Sequence, residues 1–186
     1  MPRAAPRPRD GPADPEVPDA DPEAVARKIL LRRLTDRPRS RAELAEALAK
    51  RDVPKEMATR LLDRFEEVGL VDDETFARAW VQSRMGNKGL ARRALGAELR
   101  RKGVADDVVR AVLDEIDGDD EAEAARLLVR RKLPSTRGLD TQVRMRRLAG
   151  MLGRKGYPPG LALRIVREEL GADEMPVDEP PDGVVE

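Results

Sequence analysis

The sequence predicts an all-α protein in which three tandem three-helix units form an elongated array, with a disordered tail at each end. Three observations predict this fold. Apolar residues recur at helical spacing, and no stretch alternates β-branched and polar residues as a strand would. A set of apolar positions also repeats three times along the chain. Charged residues make up 39% of the 186 residues, which suits thin units with much solvated surface.

The repeat consists of six apolar positions that recur at an offset of 51 residues and then of 53. One further position, held by Asp52, Gly103 and Gly156, recurs with them. Because a unit of this size buries little by itself, we expect neighbouring units to pack together. The three apolar sets are Leu44, Leu48, Val53, Met57, Leu61 and Leu62; Leu95, Leu99, Val104, Val108, Val112 and Leu113; and Leu148, Leu152, Tyr157, Leu161, Ile165 and Val166.

The first unit is predicted over residues 23–71. Apolar residues from Ala26 to Leu34 lie at i, i+4 and i+8, which places them on one face of a first helix. Ser40 and Glu43 form a capping box, in which each side chain satisfies a free backbone N–H at a helix start. This box predicts the beginning of the second helix.

The second unit is predicted over residues 72–118. Asp72 is the expected N-cap of its first helix, and Asp73 follows in the first turn, where negative charge is favourable. Phe76 and Trp80 are one turn apart and are expected to face the core. An alternative for these two aromatic residues, and for Tyr157 in the third unit, is a platform on which bases of a single strand stack.

The third unit is predicted over residues 119–170. Residues 1–22 and 171–186 are predicted to be disordered because they hold little to bury. The first tail carries a net charge of −2 and the second −6, so the body between them carries +8 in a chain of zero net charge. A basic body indicates contact with a polyanion or an acidic protein face, although Arg-rich helices can also simply be well solvated.

The composition excludes several kinds of active site. The chain has no Cys and no His, which removes thiolate and imidazole ligands and His-based catalysis. Three pairs of aspartates could hold Mg²⁺ for a nuclease, but each lies near a predicted helix start, where acids are expected anyway. We therefore predict no enzymatic activity, no metal and no cofactor. No apolar stretch is long enough for a membrane span or a signal peptide, so we expect a cytoplasmic protein. The aspartate pairs are Asp72–Asp73, Asp106–Asp107 and Asp119–Asp120.

Clusters of Arg and Lys recur at equivalent places in the three units, notably at the end of each middle helix. Cations there stabilise the helix C-terminus, which explains many of them structurally. Their repetition also predicts a basic stripe that suits a phosphate backbone or a protein filament. The residues expected to contact a partner or DNA are Arg84, Lys88, Arg92, Arg93, Arg100, Arg101, Lys102 and Arg154.

Beyond these patterns, residues 26–116 strongly resemble the RecX family of recombinase modulators. Residues 67–77, EVGLVDDETFA, are similar to the family's most distinctive segment, where a helix ends in a short turn followed by D-D-x-x-F-A. A K-G signal and an E-L-x-x-K-G-[IV] element follow, and the third unit matches more weakly through L-x-x-[RK]-G-[FY]. The matching residues include Ser40, Glu43, Asp72, Asp73, Phe76, Ala77, Trp80, Arg84, Lys88, Gly89, Leu99, Lys102 and Gly103.

The resemblance implies tandem three-helix repeats that bind the RecA recombinase. It implies a protein that lodges in the groove of the filament of RecA on single-stranded DNA. There it would limit filament growth, ATP hydrolysis, strand exchange and coprotease activity in DNA repair and the SOS response. Contact with single-stranded DNA is a further implication, and we expect a monomer without a small-molecule substrate.

Three alternatives stay open on the residues alone. The first is a helix-turn-helix-like DNA-binding regulator without a recombinase partner, which the many acids of the final helices in units 1 and 2 disfavour. The second is a Mg²⁺-dependent nuclease, and the third is a protein scaffold that makes no contact with nucleic acid.

Overall fold

The computed structural model describes residues 21–174, and every regular element in this range is helical, as predicted. The disorder predicted for the tails concerns mainly residues 1–20 and 175–186, which lie outside the described residues. The α-helices of the described range are α1 (Pro22–Asp36), α2 (Arg41–Ala49), α3 (Lys55–Glu67), α4 (Asp73–Lys88), α5 (Arg92–Arg101), α6 (Asp106–Asp114), α7 (Gly118–Lys132), α8 (Thr141–Arg154) and α9 (Pro159–Glu174), and a short 3₁₀ helix (Leu133–Thr136) follows α7.

Unit 1 consists of α1, α2 and α3 around a core of Leu, Ala and Phe side chains. The predicted capping box is present at the start of α2. The Glu43 N–H donates to Ser40 Oγ at 3.2 Å, and the Ser40 N–H donates to Glu43 Oε2 at 3.3 Å. Leu30 and Leu48 are fully buried, so truncating either to Ala would cost roughly 2–5 kcal/mol.

Unit 2 consists of α4, α5 and α6. Asp72 caps α4 as predicted, because its carboxylate accepts from the backbone N–H groups of Glu74 and Thr75. Phe76 is buried, and its ring lies 5.9 Å from that of the half-buried Trp80. The predicted inward direction of these two aromatic side chains is therefore confirmed.

Unit 3 consists of α7, α8 and α9 and has the largest core of the three units. The 3₁₀ helix interrupts the chain near the predicted break, and Asp140 caps α8. The last helix runs to Glu174, so its last four residues belong to the tail predicted to start at position 171. Asp173 explains the extra turn, since its carboxylate accepts hydrogen bonds from Arg144 and Arg137 and ties the end of α9 to unit 3.

Units 1 and 2 meet where the start of α2 packs against the end of α5. Ser40 Oγ donates to the carbonyl of Lys102 at 2.6 Å, and the N–H of Arg41 donates to Asp73 Oδ1 at 2.8 Å. Asp73 thus satisfies a free N–H at the start of a helix in the neighbouring unit, whereas Asp72 caps its own helix. The two adjacent aspartates have different structural roles.

Units 2 and 3 meet in the same way, at the start of α5 and the end of α8. The Ala91 N–H donates to the carbonyl of Lys155 at 2.9 Å, and the Arg92 N–H donates to Glu121 Oε1 at 2.9 Å. Because α5 has no side-chain cap of its own, Glu121 of α7 supplies one. The two joints repeat one arrangement, which links the three units in chain order.

The two joints also explain the recurring glycine position. Gly103 and Gly156 have φ of 76° and 93°, and the start of the preceding unit's middle helix lies directly against each. A Cβ at Gly156 would lie 2.7 Å from Ala94 Cβ, and one at Gly103 would collide with Ala42 Cβ. Asp52 holds the same position at the end of α2 with φ of 56°, and it is exposed. A side chain is therefore tolerated only where no unit packs against the turn.

Candidate functional site

The centre of the predicted basic stripe is an exposed face of α5. Arg93, Arg100 and Arg101 are separated by seven and eight residues, which places them on one side of the helix, and all three are exposed. Arg100 Nε lies 2.6 Å from Asp106 Oδ1, whereas Arg101 donates only to a carbonyl of its own helix. Of the three, only Arg100 has its charge compensated by a described acidic residue.

Lys88 and Arg154 are also exposed, but the backbone around Lys88 belongs to the joint between units 2 and 3. The Lys155 ammonium donates to the carbonyl of Lys88, and Tyr157 Oη donates to that of Gly89 at 3.3 Å. Tyr157 is only 2% exposed, and burial raises its pKa to about 12, so the hydroxyl remains a donor at neutral pH. The residues of the K-G motif in unit 2 and of the G-Y motif in unit 3 thus contact each other across the joint. Tyr157 is buried in this contact and is not a platform for stacking bases.

Two other residues of the predicted stripe are held inside unit 2 by Trp80. The Arg84 guanidinium lies 4.1 Å from the centroid of the Trp80 ring, and the Lys102 ammonium lies 4.2 Å from it. Glu98 completes this Trp80 cluster, because its carboxylate accepts from Trp80 Nε1 at 2.9 Å and lies 3.3 Å from Arg84 Nε. The Arg84 contact is an ion pair rather than a hydrogen bond, since its Nε has no hydrogen-bond partner.

Lys102 additionally links the Trp80 cluster to unit 1. Its ammonium donates to Glu43 Oε1 at 2.7 Å, and only 18% of its side chain is exposed. Burial by itself would raise the pKa of Glu43, but the hydrogen bond and charge of Lys102, together with the Ser40 N–H, lower it below its usual range. Lys102 is therefore a joint residue, and its charge is compensated within the protein.

Arg92 is also occupied at a joint. Its Nε lies 3.3 Å from Glu121 Oε2, and the Glu121 side chain is 9% exposed. Arg84, Arg92 and Lys102 thus have internal acidic partners, while Lys88, Arg93, Arg101 and Arg154 are exposed without one among the described residues. Sequence spacing alone did not separate these two groups, although Trp80 and Arg84 have the i, i+4 spacing of helical partners.

Two basic grooves lie between the first and middle helices of the end units. The unit 3 groove has a volume of about 680 Å³, and the unit 1 groove about 490 Å³. Only Arg154 of these groove cations was among the residues expected to contact a partner. The basic residues of the unit 3 groove are Lys132, Arg146, Arg147 and Arg154, and those of the unit 1 groove are Lys28, Arg32, Arg33 and Arg51.

The aspartate pairs act at helix starts, as their spacing indicated. Asp106, Asp107, Asp119 and Asp120 lie in the first turns of α6 and α7, where the N-terminal helix dipole favours negative charge. Within residues 21–174, no three acidic side chains are grouped so that they could hold a metal ion. No described helix has both the length and the apolar content that crossing a bilayer requires.

Comparison with known proteins assigns the chain to a family. Models of the first, second and third three-helix domains of RecX match residues 26–65, 72–113 and 119–166. The regulatory protein RecX of Thermobifida fusca is 54% identical over 180 residues and 97% of each chain. That of Streptomyces coelicolor is 55% identical over 158 residues, which are 85% of this chain and 84% of the relative.

Solved structures show the same fold. A crystal structure of regulatory protein RecX superposes with a TM-score of 0.71 at 20% identity over 80% of this chain and 72% of that one. RecX from Lactobacillus salivarius superposes with a TM-score of 0.73 at 16% identity over 79% of this chain and 96% of that one. Together with the three domain matches and the close relatives, these findings show that the chain belongs to the RecX family of regulatory proteins.

Proposed function

We propose that this protein binds the filament of RecA on single-stranded DNA and limits its growth, ATP hydrolysis, strand exchange and coprotease activity. The observation that carries the proposal is membership of the RecX family along all three units, with relatives that are named regulatory proteins. The protein acts as a non-enzymatic monomer in the cytoplasm, in DNA repair and the SOS response.

The geometry supports a role exerted through the surface. The three units are linked by two equivalent joints, so the array presents cations from several units along one molecule. Within the predicted stripe, Lys88, Arg93, Arg101 and Arg154 are the residues we propose for direct contact, with Arg100 beside them. Arg92 and Lys102 support this surface from within the joints, and Arg84 supports it from within unit 2. Its charge suits an acidic face of the recombinase or the phosphates of its DNA.

The test is RecA ATP hydrolysis on single-stranded DNA, with RecA from the same organism and this protein titrated from well below the RecA concentration. Loss of hydrolysis at substoichiometric amounts is the expected result, because a protein that blocks filament growth acts on many protomers at once. Undiminished hydrolysis at equimolar or higher amounts would contradict the proposal. A footprint on one discrete duplex sequence would instead support a DNA-binding regulator without a recombinase partner.

A further inference from the structure

We infer that the unit 3 groove, between the end of α7, the 3₁₀ helix and α8, binds the phosphodiester backbone of single-stranded nucleic acid. Lys132, Arg146, Arg147 and Arg154 line it, and all four side chains are exposed. None of the four forms an ion pair with a described residue, and no acidic residue lines the groove. The inference rests on the proposed function, because it names the part of the surface that contacts nucleic acid. It can be tested without the recombinase.

The lack of acids in this groove is unusual for the chain. Its 36 basic residues are matched by 36 acidic ones, and most of the ion pairs described join neighbouring helices or successive turns of one helix. Four cations gathered without a carboxylate repel each other. Lys132 and Arg154 lie in the last turns of α7 and α8, where the helix dipole favours them, but Arg146 and Arg147 have no such role. Such a cluster suits an external anion better than a structural role.

Comparison with unit 2 shows what a closed version of the groove looks like. The Trp80 cluster lies between the first and middle helices of unit 2, where Glu98 pairs with Arg84 and accepts from Trp80 Nε1. In the repeat, Met151 takes the position of Glu98 in unit 3, and Ala47 takes it in unit 1. Both residues line the open basic grooves. The end units therefore lack a carboxylate at this position, and of the two grooves only that of unit 1 is lined by an acidic residue, Asp36.

The shape of the unit 3 groove favours a string of anions over a single one. Arg146 and Arg154 are eight residues apart on α8, which corresponds to about 12 Å along the helix. Val143 and Met151, both half-buried, line the groove beside the cations and add apolar surface to it. Regularly spaced phosphates, with uncharged sugars and bases between them, match this pattern. Because no aromatic ring lines the groove, we expect binding that depends on the backbone and little on sequence.

The first test compares two triple variants of the full chain with equal loss of charge. Arg146→Gln, Arg147→Gln and Arg154→Gln remove three of the four groove cations, and the control replaces the exposed Arg60, Arg110 and Arg167 with Gln. Anisotropy of a fluorescent oligothymidylate measures the affinity as salt is varied. We expect the groove variant to bind about tenfold more weakly, with a log–log salt slope smaller by about 2, since each phosphate contact contributes about 0.7. The control should change affinity less than twofold.

A second test reproduces the closed groove of unit 2. Met151→Glu places a carboxylate at the position of Glu98, and Met151→Gln is the matched neutral variant. We expect the Glu variant alone to weaken binding, and circular dichroism checks that both variants remain folded. If both bind like the wild type, or if the groove and control triple variants lose affinity equally, the groove is not the binding site.

Competitors identify the class of ligand. Inorganic phosphate should fail to displace the oligonucleotide, and displacement at modest concentration would overturn the assignment in favour of a small-anion site. If the wild-type protein binds an acidic peptide but not the oligonucleotide, the assignment to nucleic acid is also overturned. RecA ATP hydrolysis is then measured with the groove variant. If the groove variant no longer binds DNA but still inhibits RecA, the groove is supported as the DNA site and the proposed function stands. If the wild type binds DNA through the groove but does not inhibit RecA, only the proposed function is contradicted.

Discussion

At the scale of single residues, the turn that ends each middle helix decides whether another unit can pack against it. Gly103, in such a turn, and Gly69, at the end of unit 1, share a left-handed backbone, with φ of 76° and 70°. Only Gly103 lies against another unit, because nothing is within 4 Å of a Cβ placed on Gly69. Substitutions at these two positions therefore distinguish the cost of a left-handed backbone from the cost of placing a side chain inside the joint.

We expect Gly69→Ala to lower the free energy of unfolding by about 1 kcal/mol through backbone strain alone. Gly103→Ala should lower it by a further 1–3 kcal/mol or so, because its Cβ would displace Ala42 and overpack the joint. Urea denaturation of the full chain measures both values. Equal losses in the two variants would show that the joint tolerates a side chain at position 103.

The charge of Glu43 makes the stability of the first joint depend on pH. Its pKa is lowered in the folded protein, so it contributes stability that is fully present above its unfolded pKa and is lost as pH falls through the folded value. Glu43→Gln keeps an acceptor for the capping box but removes the charge that pairs with Lys102.

We therefore expect the wild type to lose more unfolding free energy than Glu43→Gln when the pH falls below about 4.5, the ordinary value for Glu. The difference should be less than about 1 kcal/mol, because the pair is partly solvated. Urea denaturation at a series of pH values between neutral and acidic measures it. Parallel pH profiles for the two proteins would argue against a contribution from this ion pair.

At the scale of helices, a middle helix obtains one of its caps from the next unit. Asp73 of α4 accepts from the start of α2, and Glu121 of α7 accepts from the start of α5. Burial raises the pKa of Asp73, which the N–H and charge of Arg41 offset only in part. Exchanging caps between units couples their folding, because removing one unit leaves N–H groups of the previous one unsatisfied.

Glu121→Ala should lower the free energy of unfolding by about 1–3 kcal/mol, since it leaves the partly buried Arg92 N–H without an acceptor. Glu123→Ala on the same helix is the control. That side chain is exposed and lies 3.4 Å from Arg126, so its loss should cost less than about 0.5 kcal/mol. Thermal or urea unfolding distinguishes them, and Glu121→Gln should recover part of the loss by restoring an acceptor.

At the scale of the whole molecule, most of the motif residues that resemble the RecX family serve the joints. Ser40, Asp73, Lys102 and Gly103 all contact a neighbouring unit, and so does Tyr157. A charge reversal that includes Lys102 would therefore disturb the joint between units 1 and 2 as well as any binding surface. Exposed residues of α5 provide a cleaner probe of partner binding.

The double variant Arg93→Glu and Arg101→Glu should inhibit RecA ATP hydrolysis only at roughly tenfold higher concentration, because repulsion slows and weakens association with an acidic surface. Neither side chain has an acidic partner among residues 21–174, so the fold should be unaffected. Arg60→Glu with Arg110→Glu is the control of equal charge. Inhibition that is the same for both double variants would indicate that α5 does not face the filament.

Local sequence patterns determined the helices, the caps made by nearby residues and the threefold repeat of this protein, but not the caps that Asp73 and Glu121 supply to the preceding unit. Helical spacing and capping depend on residues within about one turn of each other, so the roles of Ser40, Glu43 and Asp72 follow from their immediate neighbours in the chain. The family resemblance followed from the same short motifs. Only the end of α9 differed appreciably, because Asp173 is held by residues of α8 and of the preceding turn.

Only the tertiary structure decided which cations are available to a partner. Arg84, Arg92 and Lys102 look the same in sequence as Arg93, Arg101 and Arg154, but the first three have acidic partners on other helices. Lys102 and Glu43 are 59 residues apart in the chain, a separation that no local pattern covers. The electrostatic state of a charged side chain depends on what packs beside it, and packing between units is set by the fold as a whole.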